Sequence, residues 1–116
     1  MSLSTRVVFT TAPSVNVLYR NAKRGRVKSA KYRDWLQLAG SEILGQRRKL
    51  TYIAGPYSVV IKVSKETRGD IDNRVKATLD LLVSMGITDD DKHCQKVSVE
   101  RGTLERYSEV FIEQVA

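Results

Sequence analysis

Apolar positions along this chain fall into short blocks whose spacing alternates between strand-like and helix-like. Arg6-Val7-Val8-Phe9-Thr10 is rich in β-branched and aromatic residues and is closed by Ala12-Pro13-Ser14, which predicts a short strand. From Asn16 to Lys28 apolar residues are few, and Arg20, Lys23, Arg24, Arg26 and Lys28 crowd around Gly25 in the pattern of a mobile basic loop. Ser29 can cap a helix, and Tyr32, Leu36, Ala39 and Ile43 follow at spacings of three and four with Trp35 beside them; that helix is expected to end near Gly45. Gly55-Pro56 marks a turn. Tyr57, Val59, Ile61 and Val63 then alternate with Ser58, Val60 and Lys62, which predicts a strand with one fully buried face.

A second helix is expected from about Asp72 to Met85, with Val75, Leu79, Leu82 and Val83 as its core stripe and Gly86 in the left-handed position that stops it. After an acidic turn, Val97 and Val99 alternate with Ser98 and Glu100. Gly102 opens an expected hairpin, and Tyr107 to Glu113 forms the returning strand. The order is β-α-β-α-β-β. It describes an α/β chain of the α+β type, with two helices on a small mixed β-sheet.

Composition narrows the class. At 116 residues the chain is read as one domain, 1–116, with room for a modest core. The 41% hydrophobic and 28% charged content is that of an ordinary globular protein. No stretch approaches the ~20 apolar residues that cross a bilayer, and the start lacks a secretory pattern, so the cytoplasm is the expected location. Cys94 stands alone, which permits no internal disulfide and agrees with a reducing compartment.

Charge changes the picture more. The formal net charge is +7, yet its distribution is uneven: residues 1–50 hold eleven of the twenty Lys and Arg but only Asp34 and Glu42 among the acids. Residues 66–91 hold Glu66, Asp70, Asp72, Asp80, Asp89, Asp90 and Asp91 against Arg68, Arg74 and Lys76. A basic front half suits phosphates, and a clustered set of carboxylates suits a divalent cation held against a polyanion.

Asp70 and Asp72, two residues apart in extended backbone, point the same way, and Lys76 lies one helical turn beyond Asp72. Asp90 and Asp91 arrive from the turn after the helix, and join the others only if that turn comes back toward the helix N-terminus. Together such groups would hold Mg²⁺ or Mn²⁺ through oxygen ligands, with a lysine to neutralise charge developing on a phosphodiester. Each residue also has a plainer use. Asp72 or Asn73 can cap the helix, Asp89-Asp90-Asp91 can be a solvated loop, and Lys76 with Asp80 can be a surface pair. No calcium-loop pattern is present. His93 and Cys94 supply no zinc ligand set and read as strand residues. Trp35 reads as core or dimer contact, and Tyr19 in the basic stretch as a base-stacking residue.

Asp70-Ile71-Asp72-Asn73-Arg74-Val75-Lys76, then Leu79-Asp80-Leu81-Leu82, Gly86 and Asp90-Asp91, resemble the signature of the RusA family of Holliday junction resolvases. Pro13-Ser14-Val15-Asn16, Tyr19-Arg20 and Tyr32-Arg33-Asp34 are similar to that family's looser N-terminal pattern. The resemblance implies a homodimeric, Mg²⁺-dependent endonuclease of bacterial or prophage origin. Such an enzyme acts in DNA recombination and repair, nicking opposed strands of four-way DNA junctions. It implies Asp70, Asp72 and Asp91 as metal-binding carboxylates and Lys76 as the essential lysine, with Asp90 and Asn73 as supporting groups. Tyr19, Arg20, Lys23, Arg24, Arg26, Lys28, Arg33 and Arg68 are the expected DNA contacts. Family members often carry an arginine just before the first aspartate; here Gly69 stands there, with Arg68 one position earlier. A nuclease of broader branched-DNA range and a non-catalytic DNA-binding module are the alternatives.

Overall fold

The computed structural model describes residues 2–23 and 25–115. Its elements run β1 (Ser4–Thr10), β2 (Tyr19–Ala22), β3 (Gly25–Lys28), α1 (Ala30–Leu44), β4 (Tyr57–Val63), α2 (Val75–Ser84), β5 (Cys94–Arg101) and β6 (Tyr107–Gln114). The expected β-α-β-α-β-β order is therefore present, with a two-stranded hairpin added. Both helices are shorter than a bilayer requires, and none among the described residues is long and apolar enough to span one.

Four strands form a mixed sheet in the order β1-β6-β4-β5. β6 runs antiparallel to both β1 and β4, while β4 and β5 are parallel. The expected hairpin after Gly102 is thus not one: β5 does not pair with β6, and β6 inserts between β1 and β4. Alternation along a strand reveals which face is buried but not which strand is the neighbour. Because β4 and β5 are parallel, α2 is a crossover that must return the chain from one end of the sheet to the other.

One sheet face carries the core. Val7 and Phe9 of β1, Tyr57, Val59, Ile61 and Val63 of β4, and Val110 and Ile112 of β6 are buried on it. Against them pack Tyr32, Trp35, Ala39 and Ile43 of α1, as their spacing predicts. Ser29 caps α1 by accepting the Tyr32 N–H at 3.1 Å, and the Trp35 indole donates to the Thr10 carbonyl at 2.7 Å, which places Trp35 in the core. The free edge of β1 is closed by side chains: Gln46 bonds both backbone groups of Val8, and Glu42 accepts from the Thr10 N–H.

The second helix departs from its expected stripe. A tight 3₁₀ turn occupies Ile71–Arg74, and the α-helix starts only at Val75. Its buried residues are Ala77, Thr78, Leu81 and Leu82; Val75, Leu79 and Val83 are half-buried. Thr78 can face inward because its hydroxyl donates to the Arg74 carbonyl at 2.8 Å. Gly86, at φ +74°, ends the helix as expected.

Candidate active site

The Asp70–Lys76 segment lies at the end of the sheet where β4 finishes and α2 begins. Three consecutive carbonyls ahead of Asp70 are held by guanidinium groups from elsewhere. Arg101, at the end of β5, donates to the Thr67 carbonyl at 3.2 Å and to Gly69 at 3.3 Å; Arg74 donates to Arg68 at 3.1 Å. Arg74 also reaches the Ala12 carbonyl at 3.0 Å, tying the turn to the end of β1. Burial pulls its pKa down, and its Nε has no hydrogen-bond partner. Neither arginine stood out in the sequence, where each looked like one more basic residue.

Within this scaffold Asp70 and Asp72 are exposed. Asp70 occupies the N-cap position of the 3₁₀ turn, but no side chain there makes a capping bond. The plain capping role therefore does not account for either residue. Asn73 joins Asp70 only through backbone, its N–H donating to the Asp70 carbonyl at 3.3 Å. Lys76 pairs with Asp80 at 3.5 Å, and Asp80 also receives a long 3.4 Å bond from the Tyr32 hydroxyl. Burial and the Asp80 charge keep that phenol firmly protonated, its pKa pushed well above the ordinary value.

The acids after α2 divide by use. Asp89 accepts the Gly55 N–H at 3.1 Å and meets the His93 ring at 2.8 Å, which holds its pKa below the ordinary carboxylate value. Asp90 accepts the Lys92 N–H at 2.9 Å, capping the short turn Asp91–His93, and that bond lowers its pKa too. Asp91 is exposed; its carbonyl accepts the Cys94 N–H, while its carboxylate makes no ion pair with any described residue. His93 belongs to the turn, and Cys94 opens β5 as a free, half-buried thiol.

Position along the fold separates these groups. Asp89 is tied to Gly55, Ile53 pairs with Ile87 and Thr88, and Cys94 sits opposite Tyr57 in the sheet register. All of these lie where β4 begins. Asp70 and Asp72 lie where it ends, beside Arg101 opposite Val63. Within one chain the acidic turn after α2 does not come back to the helix N-terminus, because the parallel crossover carries it to the other end. Among the described residues no three carboxylate, imidazole or thiol groups converge closely enough to hold a metal ion.

The basic stretch expected as a loop is the hairpin β2–β3, with Tyr19 opposite Lys28 and Ala22 opposite Gly25. Gly25 stands at φ +104°, a conformation that suits glycine at the turn. Arg20, Lys23, Arg26 and Lys28 are exposed on it, as are Arg33 on α1 and Arg68 before Asp70; Arg24 lies outside the described residues. Arg26 lies over the Tyr19 ring at 5.3 Å, and Tyr19 packs edge-on against Tyr32 at 5.8 Å. The Val15–Val17 turn that leads into the hairpin packs beside the Ile71–Arg74 turn, so basic and acidic features share one end of the molecule.

An arginine-bearing hairpin beside exposed carboxylates on an α+β core is the build of a protein that acts on nucleic-acid phosphates. No curated protein matches the chain. The family model described as Endodeoxyribonuclease RusA matches residues 9–113, and the chain belongs to that family. It is accordingly a DNA endonuclease of the Holliday junction resolving kind, a hydrolase of phosphodiester bonds.

Proposed function

We propose that this chain resolves four-way DNA junctions by paired, symmetric nicks in a divalent-cation-dependent reaction, working as a homodimer in the cytoplasm of a bacterium or from a phage genome. The observation that carries the reading is the difference among the acids. The carboxylates of Asp80, Asp89 and Asp90 are occupied by Lys76, Gly55, His93 and Lys92, whereas those of Asp70, Asp72 and Asp91 are exposed and hold no cationic partner among the described residues. Free carboxylates of this kind are costly to gather unless a cation neutralises them. Their hard oxygen donors fit Mg²⁺, with Mn²⁺ able to substitute.

Asp70 and Asp72 of one copy, with Asp91 of the other copy in the homodimer because the crossover keeps Asp91 at the far end of its own chain, would hold the ion, which when bound supplies an activated water and stabilises the leaving oxygen. Lys76 neutralises charge on the phosphate as the bond to the leaving oxygen lengthens, and Asp80 keeps its ammonium aimed along the exposed face of α2. Asn73 and Asp90 support the turns that present the aspartates. Arg20, Lys23, Arg24, Arg26, Lys28, Arg33 and Arg68 hold the DNA backbone, and Tyr19 offers a stacking surface to an unpaired base. Residues 1–116 act as one RusA-like domain, and a two-fold dimer matches the two-fold symmetry of a junction whose like-polarity strands are cut in pairs.

Cleavage of four-way, forked and linear duplex DNA under Mg²⁺ and under EDTA tests this. Paired cuts in the junction alone, lost with EDTA, support it. Equal cutting of all three substrates would instead assign a nuclease of broader branched-DNA range.

A further inference from the structure

Positive charge stands unpaired at the far end of α1. Arg47, Arg48 and Lys49 form a one-turn 3₁₀ segment just past the helix, and all three are exposed. Arg47 has a structural use, donating to the Leu44 carbonyl at 3.2 Å where the helix ends. Arg48 and Lys49 have none. Neither meets a carboxylate in an ion pair among the described residues, whereas Arg6, Lys65, Lys76 and Lys92 each do. Glu42, the closest acid along the chain, is already bonded to Thr10.

The segment is also fastened in place. Gln46 bonds both backbone groups of Val8, and the Thr51 N–H donates to the Thr5 hydroxyl at 3.0 Å, so both flanks are tied to the edge of β1. Gly45 to Lys49 line an open hollow of about 330 Å³, and the exposed Tyr52 follows. Like charges in a row on a fixed concave backbone repel one another unless an anion covers them.

We propose that Arg48 and Lys49 form a second DNA contact, which holds the phosphate backbone of a duplex arm away from the point of cutting. The inference rests on the nuclease reading above and adds a surface that reading leaves unused. The segment is remote from both groups of acids. It lies along β1, at the opposite edge of the sheet from β5 and Asp91, and at the opposite end of α1 from the turn that carries Asp70 and Asp72. The hairpin β2–β3 leads into α1 through Ser29, and fifteen helical residues at 1.5 Å each separate it from this segment by ~22 Å. On one strand of B-form DNA, at 3.4 Å per base pair, that is about six base pairs. One helix thus presents cations at both ends to the same arm, the hairpin near the branch and Arg48 with Lys49 further out. Such a contact positions the arm and reads no sequence, and the Tyr52 hydroxyl is a further donor of the kind that bonds phosphate.

Arm length tests it. Arg48→Ala with Lys49→Ala leaves Arg47 on the Leu44 carbonyl, and thermal unfolding checks that the fold is kept. In EDTA, this variant should bind four-way junctions with arms of about 20 base pairs at least ~10-fold more weakly than wild type. Its slope of log affinity against log salt should fall by roughly 2 for each bound subunit. On junctions with loop-closed arms of about 4 base pairs, which end short of the outer contact, variant and wild type should bind alike. Equal loss on short and long arms overturns the proposal, and so does no loss on either. Wild-type protein that cuts no junction under Mg²⁺ or Mn²⁺ overturns the nuclease reading itself. Wild-type cleavage beside a variant indifferent to arm length overturns only the second contact.

Discussion

Asp72 carries two effects that a single substitution separates. On the proposed reading its charge holds a cation, and the same charge repels phosphate when no cation is present. Asp72→Asn is therefore expected to reduce junction cleavage by ~100-fold or more while leaving junction affinity unchanged or tighter in EDTA. Loss of binding by the folded variant in a gel-shift assay would remove Asp72 from the site. Asp89 predicts something different. Its pKa is depressed by His93 and the Gly55 amide. It therefore adds stability above the unfolded carboxylate pKa of ~3.9, and that stability is lost as pH falls through the lower folded value. Thermal unfolding at a series of acidic pH values should show wild type and Asp89→Asn converging below that range and separating above it. A constant gap would detach Asp89 from the acid sensitivity.

The Tyr57 hydroxyl is a third case. It is fully buried, its pKa is pushed up to about 12 by burial, and it lies near Thr88 and Cys94 without meeting either in hydrogen-bonding geometry. A buried hydroxyl without a partner costs stability. Tyr57→Phe is thus expected to unfold at the wild-type temperature or above, within ~1 kcal/mol. A destabilisation beyond ~2 kcal/mol would mean the hydroxyl is bonded in solution.

Among the elements, the hairpin β2–β3 is where binding should respond to salt. Arg26→Ala with Lys28→Ala removes two exposed cations, and if both meet phosphates the slope of log affinity against log salt should fall by roughly 2. An unchanged slope would place those side chains away from the DNA. The hairpin was hidden in the sequence because its charges mask the pattern: of its strand residues only Tyr19, Ala22 and Val27 are apolar. α1 was legible because Ser29, Tyr32, Ala39 and Ile43 all point to one helix. α2 was legible in extent but not in rotation. The 3₁₀ turn at Ile71–Arg74 delays the helix, and Thr78, outside the expected stripe, is buried with its hydroxyl on the Arg74 carbonyl.

For the molecule as a whole, residue spacing made the closeness of Asp70, Asp72 and Lys76 along the chain readable, and the strand order, which decides where Asp91 lies, was not. A hairpin expected from Gly102 concealed the sheet order, and sequence left open whether the turn carrying Asp91 returns to the helix N-terminus. The parallel pairing of Tyr57–Val63 with Cys94–Arg101 carries it away instead. If the proposed dimer shares the ion between its copies, assembly and metal binding are linked. If only the dimer binds the ion, Mn²⁺ at 100 times its dissociation constant should stabilise the dimer by about 2.7 kcal/mol for each site. Sedimentation of dilute protein should then show Mn²⁺ favouring the dimer for wild type and not for Asp72→Asn. An identical response in both would break the link.

β6 sits in the middle of the sheet yet follows both its neighbours along the chain, bonded on one side to β1 and on the other to β4. A ribosome making this chain has therefore released both flanking strands before the piece that seams them together exists. The nascent polypeptide cannot close its scaffold early, so a prematurely terminated product would be an unfolded fragment for proteases to clear. Cleavage of DNA would then wait until β6 has been made.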